Sequence, residues 1–134
     1  MTEQQKSKVL HIGLWVAQVL LAVAFVMAGF MKVSMPISDL AANGMGFVNH
    51  TPETMVRFIG IAELLGAIGL ILPAALRIKP ILTPLAAVGI AVIMLLAIRE
   101  HLSQNESIFA NVVLFALAIF VAWGRFNKAP IQAK

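Results

Sequence analysis

The sequence predicts an all-α protein: an antiparallel four-helix transmembrane bundle with both termini cytoplasmic, a single integral membrane domain over residues 1–134. Three observations predict it. Hydrophobic residues make up 60% of the chain and charged residues only 12%, at a mean hydropathy of +0.93. That is more apolar surface than a soluble domain of this size can hide. The apolar residues gather into four segments, each close to the ~20 residues that cross ~30 Å of hydrocarbon. Lysine and arginine are shared unequally between the two sets of segment ends, which orients the bundle.

The first span runs from about residue 12 to 31. A polar, basic stretch, Thr2 to Lys8, precedes it and suggests a signal peptide. The apolar run is too long for a signal h-region and ends in Gly29-Phe30-Met31-Lys32, so it reads as an uncleaved helix. The long loop over 33–55 follows. Within it Ser38-Asp39 is expected to cap a short amphipathic helix carrying Leu40, Ala41 and Met45, broken at Asn43-Gly44 and Gly46. Thr51-Pro52-Glu53 reads as the capped start of the second span, over 56–76, with proline in the first turn and an acid at the positive dipole end. Pro73 is expected to weaken that helix near its end. Arg77-Ile78-Lys79-Pro80 is a tight basic turn into the third span, 81–98, and His101 to Ser107 a polar loop into the fourth, 108–123.

With four spans, the termini and the tight turn share one side, which holds Lys6, Lys8, Arg77, Lys79, Arg125, Lys128 and Lys134. The other side holds Lys32, Arg57 and Arg99 with Asp39, Glu53, Glu63, Glu100 and Glu106. Seven basic residues against three put the termini in the cytoplasm. Trp15 and Trp123 fall near that face, where interfacial anchors belong. The basic residues sit at segment ends without interleaved aromatics, so the net charge of +4 does not describe a nucleic-acid surface. The absence of cysteine excludes disulfides, thiol chemistry and cysteine-ligated iron–sulfur centres within the chain. His11 lies on one side and His50 and His101 on the other, so no histidine pair is placed to hold haem. No metal-ligand spacing, phosphate loop or nucleophile elbow occurs.

The chemistry concentrates around Glu63, a carboxylate about 10 Å into an apolar helix that begins near Arg57. A charge at that depth costs at least ~2.5 kcal/mol and is normally paired or faces a wet cavity. Topology brings Lys32, His101 and Asn111 to the same level. Each lies on a helical stripe: Gln18, Ala22, Phe25, Gly29 and Lys32; Ala87, Ala91, Met94, Ile98 and His101; Asn111, Phe115, Ala118, Ala122 and Arg125. These stripes predict a bundle packed tightly toward the cytoplasm and open to a polar pocket on the other side. Glu63 and His101 are the candidate proton-exchanging, catalytic residues. Lys32, Asn111, Gln18 and Arg57 are the candidate binding residues. Each also has a structural role open to it: Glu63 can pair with Lys32 or Arg57, Lys32 can snorkel, Asn111 can cross-link helices, and Gln18 can pack beside Trp15.

Phe25-x-x-Ala28-Gly29-x-x-Lys32, followed by Gly60-Ile61-x-Glu63-Leu64-Leu65-Gly66-Ala67-x-Gly69-Leu70-x-Leu72-Pro73, resembles the DoxX-like membrane proteins. The third span's Met94-x-x-Ala97-x-x-x-His101, Asn111 and the closing Gly124-Arg125 fit the same pattern, which extends over roughly 11–125. The resemblance implies a multi-pass protein of the bacterial inner membrane, with relatives tied to thiosulfate:quinone oxidoreduction or quinone handling. It also implies that Lys32, Glu63, His101 and Asn111 form one pocket. No electron carrier is encoded in the motifs, so a redox role requires a bound quinone or a soluble or membrane oxidoreductase partner. The competing readings are a small-molecule or lipid transporter, which would need a homo-oligomer because no inverted repeat is visible, and an assembly subunit of a membrane oxidoreductase. Membrane lipid is the expected surrounding partner, and nucleic acid is not. Reporter fusions at the C-terminus and within the 33–55 loop are expected to report opposite sides of the membrane; the same side for both would refute the topology.

Overall fold

A computed structural model describes residues 2–134. Among them the chain forms α1 (Glu3–Ser34), α2 (Ile37–Ala42), a 3-10 turn (Gly46–His50), α3 (Glu53–Leu76), α4 (Leu82–Ser103) and α5 (Phe109–Trp123), which runs into a π turn (Gly124–Lys128). Helices α1, α3, α4 and α5 with its π turn are each long and apolar enough to cross a membrane. Successive long helices run antiparallel, and α2 with the 3-10 turn covers the end of the bundle away from the termini. We call these the loop end and the terminal end.

The long helices outrun the apolar segments because charge does not stop a helix where capping can start one. Helix α1 begins nine residues before the expected span, held by a capping box in which Gln5 N–H donates to Thr2 Oγ1 at 3.2 Å and Thr2 N–H to Gln5 Oε1 at 2.8 Å. Helix α4 continues to Ser103, so His101 sits in its last turn rather than in a loop. Two expected caps are displaced. Pro36 precedes α2, leaving Ser38 and Asp39 inside it with no side-chain cap. Pro52 is the N-cap of α3, while Thr51 Oγ1 turns back to donate to Phe47 O at 2.7 Å. Proline's fixed φ and missing N–H suit both positions.

Pro73 does not end α3. A proline here removes the hydrogen bond that would have gone to Gly69 O, four residues earlier. The Thr83 hydroxyl of α4 donates to that same carbonyl at 2.9 Å. A neighbouring helix thus satisfies the freed group, as hydrocarbon surroundings require. The helix then stops at Arg77, in the left-handed region at φ 57°, with its N–H returned to Pro73 O.

Large apolar side chains such as Phe58, Leu65, Leu96 and Phe109 are exposed on the outside of the bundle, where lipid would cover them. Inside, Leu21, Phe25, Leu70, Ile90 and Val121 form the core with Ala67, Ala87, Ala91 and Ala118. A smaller cluster of Leu40, Val48 and Val56 anchors the loop segment to the bundle.

Helix α1 packs most extensively on α3. At their crossing, a Cβ on Gly29 would meet Gly60 O at 2.8 Å, and one on Gly60 would meet Lys32 Cβ at 2.8 Å and Gly29 O at 3.0 Å. Lipid offers no hydrophobic drive between helices, so close backbone approach of this kind supplies the packing energy. Gly29→Ala is therefore expected to cost ~1–3 kcal/mol of stability, measured as thermal unfolding in detergent. Gly89→Ala is the control: its Cβ would meet nothing within 4 Å, and stability should be unchanged or slightly raised.

Candidate functional site

The crossing at Gly29 and Gly60 explains why a lysine and a glutamate meet in the bundle. Lys32 and Glu63 each lie three residues beyond one of these glycines. Side chains lean toward the start of their own helix, and α1 and α3 are antiparallel, so the two lean toward each other. Lys32 Nζ donates to Glu63 Oε1 at 2.6 Å. Glu63 is 1% exposed and Lys32 9%. Neither could be held there alone, since an unpaired buried charge is costly while a hydrogen-bonded opposite charge offsets much of its desolvation.

Arg57 is not the partner of Glu63. Its Nη1 donates to Lys32 O at 2.9 Å and Met35 O at 2.6 Å, and its Nη2 to Glu53 at 3.0 Å. It thereby satisfies carbonyls that the end of α1 leaves without intrahelical donors and fixes the backbone that carries Lys32.

The ion pair forms part of the wall of a cavity of about 390 Å³ at the loop end. His101 and Asn111 also line it, and the remaining wall is largely apolar, including Phe47, Ile59, Ile93 and Met94. Four expected site residues therefore share one cavity: Lys32, Glu63, His101 and Asn111. Asn111 Nδ2 reaches only Met94 Sδ at 3.8 Å, a weak acceptor, and its amide oxygen makes no hydrogen bond within the described residues. His101 Nδ1 lies 3.0 Å from Glu106 Oε1. A carboxylate there places a proton on Nδ1 and leaves Nε2 of the neutral ring as an acceptor.

Sequence reasoning missed the cover of this cavity. Met45, Phe47 and Thr51 come from the loop segment, and Glu100 contributes from α4. His50 Nε2 contacts Glu100 Oε1 and so joins the cover to α4. The one available signal was the cluster of apolar Met45, Phe47 and Val48 just after the Asn43-Gly44 break.

Gln18 belongs elsewhere. It is fully buried toward the terminal end, where its Nε2 donates to Leu70 O at 2.7 Å and its Oε1 accepts from Arg125 Nε at 2.7 Å. Arg125 is 2% exposed. Its Nη1 also faces His11 Nδ1 at 3.0 Å and donates to Ala129 O at 2.8 Å, and its guanidinium lies 5.7 Å from the Trp15 ring centroid. The terminal end thus contains a buried polar network where uniform tight packing was expected. Arg125 lies in the π turn and is turned into the bundle, where Gln18, His11 and Ala129 take its donors. The stripe Asn111, Phe115, Ala118, Ala122 and Arg125 was the signal for that inward position.

The arrangement of the long helices matches what the motifs implied, and comparison with known families agrees with the resemblance. The model of the DoxX-like family matches residues 16–123. The chain belongs to the DoxX-like family. The matched region contains Lys32, Glu63, His101 and Asn111 and ends before Arg125 and the C-terminal segment. No curated protein and no solved structure matches the chain. This DoxX-like protein is accordingly a small membrane protein with four membrane-spanning helices.

The ion pair makes a double-mutant cycle informative. Glu63→Leu alone leaves the Lys32 ammonium buried without an anion and is expected to cost ~3 kcal/mol or more. Lys32→Met combined with Glu63→Leu should recover most of that loss, because an apolar pair of similar volume needs no desolvation of charge. Chemical or thermal unfolding of the two single variants and the double variant in one detergent measures the coupling.

Proposed function

We propose that this DoxX-like protein binds a quinone- or lipid-like small molecule in the loop-end cavity, within a redox-associated system of the bacterial inner membrane. The observation that carries the reading is a largely apolar cavity with a buried Lys32–Glu63 pair on its wall. Its volume of about 390 Å³ suits a ring-sized polar head, near the lower end of the ~300–1,000 Å³ usual for small-molecule sites. The hydrocarbon tail of such a molecule would lie among the apolar side chains facing lipid.

The chemistry follows from the donor set. Lys32 carries three N–H donors and commits one to Glu63. A second can hold a carbonyl oxygen of the ligand, with Asn111 as the other polar anchor. Reducing a quinone to a quinol takes two electrons and two protons. Of the titratable groups on the wall, Glu100 is engaged by His50, and Glu63 and His101 are the pair assigned to proton exchange. The chain contains no cysteine, and the electrons would come from an oxidoreductase partner. The excess of lysine and arginine at the terminal end supports an orientation with that end in the cytoplasm and the cavity on the opposite side.

The test is mass spectrometry of small molecules that co-purify with the protein in mild detergent, paired with Glu63→Gln. Glutamine keeps the shape and an oxygen for Lys32 but cannot titrate. The variant is expected to insert and fold with lower thermal stability, because the Lys32 ammonium keeps an acceptor but loses its anion, while losing at least ~10-fold in quinone retention and its pH dependence, equivalent to ~1.4 kcal/mol of binding. Wild-type protein that retains no quinone or lipid-like molecule, or a Glu63→Gln protein that retains it unchanged at all pH values, would refute the reading.

A further inference from the structure

A second recess, of about 440 Å³, opens at the terminal end between α1, the α3–α4 turn and the C-terminal segment. Its wall combines Trp15, Pro130 and Ile131 with the polar groups of His11, Arg77 and Gln132. No aspartate or glutamate lines it. The C-terminal segment is fastened over the turn: Arg77 Nε donates to Gln132 O at 2.6 Å, and Lys134 N–H to Arg77 O at 3.0 Å. Arg77 therefore uses its Nε for structure, and its two terminal nitrogens have no hydrogen-bond partner among the described residues.

The buried network behind this wall fixes what His11 presents. Arg125 is a donor at every nitrogen, so His11 Nδ1, 3.0 Å from Arg125 Nη1, must accept. The proton of the neutral ring is then on Nε2, which has no partner among the described residues. Arg125 itself is held by Gln18, His11 and Ala129 oxygen or nitrogen acceptors and has no carboxylate partner among the described residues. The recess thus offers N–H donors from Arg77 and His11 on an apolar floor, with the uncompensated charge of Arg125 directly behind.

We propose that this recess binds a phosphate group, and that the phosphate is the headgroup of an anionic phospholipid. A guanidinium matches phosphate with two parallel N–H donors, and basic pockets between membrane helices take anionic headgroups. The apolar floor and the position at the end of the spans favour a lipid over a free ion, because acyl chains can continue along the exposed outer faces of α1 and α3. This site is separate from the loop-end cavity and does not depend on what that cavity binds.

Native mass spectrometry of the full chain in mild detergent, titrated with phosphatidylglycerol or phosphatidylcholine, tests the proposal. Wild-type protein is expected to bind one phosphatidylglycerol at least about fivefold more tightly than phosphatidylcholine. Arg77→Gln should abolish that preference, Arg77→Lys should retain part of it, and Lys128→Gln, on the same end but outside the recess, should leave it intact. Thermal unfolding of each variant confirms that it is folded. Equal binding of the two lipids, or equal losses in Arg77→Gln and Lys128→Gln, would overturn the site in favour of diffuse surface charge. Displacement of phosphatidylglycerol by millimolar inorganic phosphate would overturn the lipid assignment and leave a site for soluble phosphate.

Discussion

The Lys32–Glu63 ion pair is the constraint on which the loop end of this bundle depends. Two charges can remain in so apolar a setting only if their helices approach closely enough to bring them to hydrogen-bond distance. Gly29 and Gly60 make that approach possible, since any Cβ there would strike backbone or Lys32. Arg57 then fixes the backbone at the end of α1 through Lys32 O and Met35 O, and with it the Cα from which the lysine reaches Glu63. Small residues, the arginine clamp and the ion pair are one device. Each part would be an oddity without the other two.

The same rule organises the rest of the molecule: where polar groups are buried, a neighbouring element supplies their partners. Pro73 frees Gly69 O and Thr83 returns a donor to it. Gln18 joins Leu70 O on α3 to Arg125 beyond α5. In water such bonds are exchanged for solvent at modest net gain, but hydrocarbon offers no alternative partner. These cross-helix bonds therefore define which packing is acceptable, while the alanine-rich core between them permits it.

Much of this was legible in the sequence, and the reason is the solvent. A bilayer fixes segment length, and it makes any charge within a segment conspicuous, which is why the four spans and Glu63 could be read directly. Helical periodicity then aligned Lys32, His101 and Asn111 with it. The reading failed where a local rule was overridden by tertiary structure. Gln18 was grouped with the binding residues because it shares a stripe with Lys32, but fourteen residues of helix separate the two along the bundle. Arg125 was counted among basic residues at a span end, which ordinarily extend toward water, although its stripe with Ala118 and Ala122 already placed it on the inward face. The cover formed by Met45 and Phe47 depends on a loop path that no periodicity encodes. Ser38, Asp39 and Thr51 have the chemistry of caps, yet Pro36 and Pro52 occupy the positions that matter.

The buried Arg125 has an electrical consequence. Lys32 and Glu63 cancel as a pair, so the loop-end half of the core carries almost no net charge, whereas the terminal half carries the positive charge of Arg125 with no acid beside it among the described residues. The core is therefore polarised along its length. In an energised membrane, carrying one elementary charge across the whole thickness is worth ~2.3 kcal/mol per 100 mV. The bundle does not meet the membrane potential as a neutral object: it lies at lower energy with its terminal end toward the negative face, and the voltage acts on it even at rest.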